Sequence, residues 1–497
     1  MIKDLFKDLA KYLPSYIVPA VVGIITIPII TRLFPPEDYG DYVLVSITIS
    51  VLFTISTVWI DAAIIRFFPA YKLNNRLTEF YNTIIKLAFI SVVGISFIFS
   101  NVLFLAKGCI SANLYSLMHI GLLTFIATSW LTVLLAFLRA KRQIVWYTSF
   151  KIWRSVASLG FSVVLIMVFH YGVDGLLWGA LLSAIIALPF LWRITVRTIS
   201  LSFKKFYIRS PMNIEITKYG FPLIAVNIAS WVLSLSDRYV LKIFRSSLEV
   251  GIYSIGYGIP DQAIRIIIML FDVASGPIAF NIWENKGVET SRGFLEKITR
   301  YYLLISLPAT VGLSVLAKPV VGVLASPAYL AGYIITPLVA FSIFFTGIEW
   351  QFGTILNYYK RTDLTMYYNL IGAALNLGLN LLLIPKYGYI AAAATTFIAC
   401  IANLAMVIAI SRRFLVWHFP FKPLGKIASA SGVMGIIVYH LSNNLTYSNL
   451  VNLILGIIVG VVVYSLMLFL LRELKPSEIY VLLDLKRQFF HNKENIS

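Results

Sequence analysis

The sequence predicts an all-α, polytopic membrane protein of about fourteen transmembrane helices. They form two six-helix bundles in parallel repeat and two further helices, with both termini cytoplasmic. Three observations predict this. Hydrophobic residues make up 59% of the 497-residue chain and charged residues 13%, where a soluble domain carries about 25% charged residues. Apolar runs such as 17–30, 156–169 and 453–471 recur along the chain, and about 20 helical residues cross a hydrocarbon core about 30 Å thick. Strands of a membrane barrel would alternate polar and apolar, and these runs do not. Finally, the chain repeats itself. Asp38-Tyr39-Gly40-Asp41-Tyr42 and Glu249-Val250-Gly251-Ile252-Tyr253 share an acid-x-Gly-x-Tyr pattern 211 residues apart. Lys141-Arg142 matches Lys360-Arg361 at an offset of 219, and Tyr171-Gly172 matches Tyr387-Gly388 at 216. Matches in one order with little drift indicate a duplication, and such repeats form two bundles that rock about a shared site.

Taken in order, the first span is read at 12–33. Lys3, Lys7 and Lys11 precede it, Pro35-Pro36 ends it, and no small-x-small cleavage site follows, so it is an uncleaved span. Pro14, Pro19 and Pro28 lie within it. They make it either a bending gate or a statically kinked packing helix. Charged or Pro/Gly-marked breaks then delimit spans at 41–65, 80–104, 114–138, 146–169 and 174–192. The second set lies at 214–236, 248–273, 300–325, 330–357, 364–385 and 388–411, followed by 424–442 and 449–471. Alternating the connections from a cytoplasmic start puts 30 of the 41 basic residues inside and 7 outside, the bias that orients membrane proteins. It also accounts for most of the net charge of +19 without a nucleic-acid partner. The expected divisions are an N-terminal lobe 1–200, a basic linker 201–218, a C-terminal lobe 219–413, two extra helices 414–472 and a cytoplasmic tail 473–497.

Four basic residues fall within spans: Lys86, Lys151, Arg154 and Arg265. Asp61, Asp261, Asp272 and Glu349 are acids at depth. A charge at the bilayer centre costs at least about 2.5–3.5 kcal/mol on insertion scales, so it faces a bundle interior or a wet cavity. Asp261, Arg265 and Asp272 share one helix face. They form either a self-neutralising packing pair or a site where Arg265 meets an anionic substrate and Asp272 takes part in ion coupling. Lys151 and Arg154 have no acid within their own span. Lys151 either snorkels to the helix end or joins Arg154 in a cationic interior with Arg265 and Arg66. Such an interior suits a phosphate-bearing ligand, whereas an exporter of cationic drugs would place acids there. Polar stripes at Ser50, Thr54, Thr57 and Asp61, and at Asn369, Asn376 and Asn380, read mainly as stitching between helices. Lys86 reads as a helix-end residue.

There is no Walker A loop, metal-ligand cluster or nucleophile elbow, so a transporter is expected rather than an enzyme. No cofactor is expected, and a proton or sodium gradient is the candidate drive. The isolated Cys109 and Cys400 carry no motif.

Three segments resemble a known family. Ile65-Arg66-Phe67-Phe68-Pro69-Ala70-Tyr71 is similar to the Arg-aromatic-x-Pro motif closing the second span of polysaccharide-transport or O-antigen-type flippases. These belong to the multidrug/oligosaccharidyl-lipid/polysaccharide exporter superfamily. Ser236-Asp237-Arg238-Tyr239-Val240-Leu241 followed by Glu249-Val250-Gly251-Ile252-Tyr253-Ser254 resembles their Asp-Arg…Glu-x-Gly-x-Tyr signature. Arg139-Ala140-Lys141-Arg142 and Tyr171-Gly172-Val173-Asp174-Gly175 resemble their fourth-loop and sixth-span entries. The resemblance implies a V-shaped fold like that of multidrug MATE exporters, located in the plasma membrane. It implies movement of an undecaprenyl- or dolichol-linked oligosaccharide to the outer leaflet by alternating access, with Arg66 a family-like site residue. It also implies a lipid-tail groove formed by the extra helices and working partners among membrane lipids, polymerases and glycosyltransferases. The chain lacks the dense arginines that some lipid flippases carry in the first span. An ion-coupled small-molecule exporter is the alternative.

Overall fold

The computed structural model describes residues 12–196, 211–444 and 448–473. Lys3, Lys7 and Lys11, most of the 201–218 linker and the tail beyond 473 lie outside the described residues. The described residues are helical with no strand. In chain order the helices are α1 Pro14–Leu33, α2 Pro36–Ser56, α3 Val58–Leu73, α4 Leu77–Ala106, α5 Ala112–Ala140, α6 Ile144–Met167 and α7 Asp174–Val196. The second half holds α8 Pro211–Leu235, α9 Asp237–Phe244, α10 Ser247–Val315 and α11 Ala317–Leu324. After a 3₁₀ turn at Pro327–Ile334 come α12 Thr336–Tyr358, α13 Thr362–Ser411, α14 Phe421–Asn444 and α15 Asn449–Leu470.

Local chemistry explains where they start. Proline opens α1 and α2, where its missing N–H costs nothing. The hydroxyls of Ser111, Ser246 and Ser448 accept from the backbone N–H groups of Leu114, Glu249 and Val451, capping α5, α10 and α15. Among the described residues, twelve helices are long and apolar enough to cross a membrane: this is a multi-pass membrane protein. Two of the twelve are 69 and 50 residues long, more than one bilayer needs at 1.5 Å per residue. Each breaks at one residue of positive φ, Gly287 in α10 and Gly388 in α13. The second span, expected as one helix, instead divides at Thr57 into α2 and α3.

The duplication is written in the backbone. Among the described residues seven have positive φ, and six pair across the repeat. Asn75 (55°) pairs with Gly287 (78°) at an offset of 212. Arg142 (57°) pairs with Lys360 (57°), and His170 (56°) with Gly388 (60°), both at 218. The remaining one, Arg472, lies past the extra helices. At two of these turns the closing bond is the same: Gln143 N–H donates to Leu138 O at 2.9 Å, and Arg361 N–H to Leu356 O at 2.8 Å, as in a Schellman cap. The expected offsets of 219 and 216 are therefore out of register by one and two residues. A helix-closing turn fixes a backbone position, whereas neighbouring basic or glycine residues need only lie near it.

The acid-x-Gly-x-Tyr pair is the crossing point of the lobes. A Cβ added at Gly40 would strike the carbonyl of Ser247, and one added at Gly251 would strike the carbonyl of Pro36. Pro36 and Ser247 are also 211 residues apart, so the contact is related by the repeat's own two-fold axis. Only glycine lets α2 and α10 approach backbone to backbone there. One apolar core spans both lobes at this end, with Val43, Leu44 and Leu117 beside Val250, Tyr253 and Val339. Towards the opposite end the core divides in two, one part around Phe80, Tyr81 and Phe137 that also takes in Met212 and Ile216 of α8, the other around Leu303, Ile355 and Val407. Here α8 leans onto α3 through Trp59–Phe221 and Phe67–Tyr219 ring contacts at 5.3 and 5.5 Å.

Candidate functional site

The site lies on either side of α1, which is flanked by α6 and α10. On the α6 side is a cavity of about 260 Å³ lined by Asp61, Thr132, Arg139, Tyr147, Lys151 and Arg154. The kink at Thr57 starts α3 afresh, and Asp61 stands in its first turn. Arg139 comes from the last turn of α5, and its Nη2 donates to Asp61 Oδ2 at 2.6 Å. Its Nε is buried without a partner, which leaves a guanidinium donor unused. Lys151 and Arg154 sit on successive turns of α6, and among the described residues neither makes a salt bridge or side-chain hydrogen bond. Lys151 Nζ stands over the rings of Tyr16 and Tyr147, 5.1 and 5.7 Å from their centroids. Such cation–π contacts hold an ammonium without neutralising it. The cavity thus gathers three cations against one carboxylate.

Tyr16 also lines a second cavity, of about 420 Å³, with Asp261, Gln262, Arg265, Asp272 and Trp350. Tyr16 on α1 thus joins the second chamber to Lys151 of the first. Arg265 Nε donates to both oxygens of Asp261 at 3.0 and 3.2 Å, while the guanidinium stays half exposed. Asp272 has no hydrogen-bond or ion-pair partner among the described residues.

The sequence-predicted residues distribute unequally. Asp61, Lys151 and Arg154 meet in the first chamber, and Asp261, Arg265 and Asp272 meet in the second. Arg66 is exposed on α3, its guanidinium 6.0 Å from the Phe67 ring, and it lines neither chamber. Glu349 lines neither chamber and accepts from the Tyr368 hydroxyl. Sequence reasoning missed Arg139, taken as a loop residue, together with Tyr16, Gln262 and Trp350. The signal for Arg139 was the lone Asp61 on a neighbouring span at similar depth; the three others carried none.

The polar stripes are mostly internal. Thr54 and Thr57 donate to Ser50 O and Phe53 O of their own chain segment. Asn376, Asn380, Thr395 and Thr396 do stitch the two legs of α13 together.

The Asp-Arg…Glu-x-Gly-x-Tyr segment folds into one unit at the crossing. Asp237 is buried against Arg238 Nη1 at 2.7 Å and accepts from the Tyr253 hydroxyl. Arg238 lies over the rings of Tyr253 and Tyr257 at 4.9 and 4.5 Å. Glu249 pairs with Arg245 at 2.8 Å and accepts from Tyr389 N–H at 3.0 Å, so it anchors the break in α13. A model of the family described as polysaccharide biosynthesis protein matches residues 29–333, a stretch containing this unit, the crossing and all of the first chamber's charges.

The chain belongs to the polysaccharide biosynthesis protein family.

Membership bears out the resemblance carried by the short motifs. This family member is 24% identical over 414 residues to an uncharacterized membrane protein of Methanocaldococcus jannaschii, covering 78% of this chain and 80% of that one. It is 22% identical over 256 residues to the probable low-salt glycan biosynthesis flippase of Haloferax volcanii, covering 50% of this chain and 53% of that one. Its fold is similar to that of the lipid II flippase MurJ in an inward closed conformation. The TM-score is 0.73 at 16% identity, with 94% of this chain and 99% of that one covered.

Proposed function

We propose that this protein carries a lipid-linked oligosaccharide from the cytoplasmic to the outer leaflet by alternating access. The observation that carries this reading is the first chamber, where Arg139, Lys151 and Arg154 face a single carboxylate. A polyprenyl phosphate or pyrophosphate is the anionic group that a lipid carrier brings to such depth, and guanidinium groups hold phosphate oxygens in a two-pronged geometry. The flippase names of the Haloferax relative and of the structurally similar MurJ support the same class of cargo. A further apolar cavity of about 400 Å³ between α10, α14 and α15, lined by Leu316, Met434, Val438, Gly456 and Gly460, suits the lipid tail. Fourteen spans with both termini cytoplasmic remain the topology proposed from the basic-residue bias, with lobes ending near 200 and 413. A proton or sodium gradient is the proposed drive, with Asp61, Asp261, Asp272 and Glu349 as the acids to test. Polymerases or glycosyltransferases are the proposed neighbours.

Deleting the protein tests the reading. Lipid-linked glycan should accumulate in the inner leaflet, and Arg154→Ala should reproduce that at normal protein level. Normal export accompanied by rising drug sensitivity would instead establish the small-molecule exporter.

A further inference from the structure

We infer that the second chamber, between Tyr16 and Trp350, is a glycan subsite selective for uncharged or amino sugars over uronic acids. The inference rests on the phosphate reading of the first chamber and adds to it what the rest of the cargo meets. Tyr16 lines the second chamber, and its ring centroid lies 5.1 Å from the Lys151 ammonium that lines the first, so a ligand whose phosphate lies against Lys151 and Arg154 extends past that ring into the second.

The chemistry there differs from the first chamber in sign. Two carboxyl groups, Asp261 and Asp272, stand against one guanidinium, and Arg265 is already committed to Asp261 through three hydrogen bonds. A phosphate has no free cation to meet here and would face the open carboxyl of Asp272. Sugar hydroxyls are donors, and carboxylate oxygens accept them. Gln262 offers an amide whose Oε1 is buried without a hydrogen-bond partner. Tyr16 and Trp350 supply large, rigid faces, on which the C–H side of a pyranose can lie. Apolar faces with a few convergent polar groups, in a volume of about 420 Å³, are the make-up of a small-molecule site. A uronic acid would set its carboxylate against Asp272, and like charges at close range repel.

Citronellyl diphosphate and its N-acetylglucosaminyl and glucuronosyl derivatives are the probes, measured by calorimetry on the full chain in nanodiscs. Wild-type protein should hold the N-acetylglucosaminyl derivative more tightly than the glucuronosyl one by at least about threefold. Asp272→Asn should erase that preference. Trp350→Ala should weaken the N-acetylglucosaminyl derivative about tenfold, the scale of one lost contact, with bare citronellyl diphosphate unchanged, which also shows that the variant is folded. Arg154→Ala should weaken all three. Equal loss on every probe in Trp350→Ala, or no loss at all, overturns the subsite. Wild-type protein that binds the glycosylated probe but not bare diphosphate overturns the phosphate reading alone; binding of neither overturns both.

Discussion

At the scale of single residues, charged groups in this chain fall into two populations that demand opposite treatment. Asp237 and Arg238 are almost fully buried, and each depends on the other. Removing one partner leaves an uncompensated charge, a loss of about 3–5 kcal/mol. Asp237→Ala should therefore lower the thermal midpoint of the purified protein sharply, and a midpoint unchanged would remove the pair from the scaffold. Arg265 and Asp261 are solvated within the cavity, where such a pair contributes about 0–1 kcal/mol. Arg265→Ala should leave the midpoint nearly unmoved while abolishing export; wild-type export would make the pair structural. Sequence distinguished these populations only in part. It found Arg154 and Lys151 because spans are legible by composition, and a cation within one stands out. It counted Arg238 and Arg139 as loop residues because helix ends are set by backbone turns, which hydropathy does not see. Tyr16 and Trp350 were invisible because an aromatic ring in a membrane helix looks the same whether it faces lipid or a cavity.

At the scale of elements, the two helices beyond the repeat are more than an appendage. The sequence placed them at 424–442 and 449–471, and the helices span Phe421–Asn444 and Asn449–Leu470, because unbroken apolar runs are the clearest signal a membrane chain gives. Their attachment was not legible. Glu473, just past α15, lies buried with its Oε1 2.7 Å from Arg300 Nε on α10, and Lys426 of α14 approaches the same carboxylate at 3.5 Å. One acid thus fastens three helices around the apolar cavity proposed for the lipid tail. Glu473→Ala should loosen that attachment and lower the thermal midpoint of the purified protein, since it removes the buried carboxylate that Arg300 and Lys426 both approach. A variant as stable as wild type would show that packing alone holds the pair.

At the scale of the whole molecule, the repeat supplies a crossing, and departures from the repeat supply bonds across it. Gly40 and Gly251 are equivalent, and their close approach is symmetric. Asp41 has Ile252 as its equivalent, so its bonds have no counterpart on the other side. It accepts from Ser247 Oγ at 2.5 Å and Lys242 Nζ at 3.0 Å, across the lobe boundary. The same end is closed by Tyr329, whose hydroxyl donates to Phe34 O at 3.0 Å. Alternating access requires two arrangements of the lobes, and a cargo can bias only an equilibrium in which its contacts differ between them. Backbone packing at the glycines resists separation weakly, because it buries little side chain; on the proposed alternating-access reading, the Asp41 contacts and the shared core hold this end shut until cargo fills the chambers. A cysteine pair replacing Asp41 and Ser247, in a chain with Cys109 and Cys400 changed to serine, should form a disulfide that stops export. Reduction should restore it, and binding of citronellyl diphosphate should persist in both forms. Export at the full rate through the oxidised protein would mean that this end never opens, and that the cargo leaves by another path.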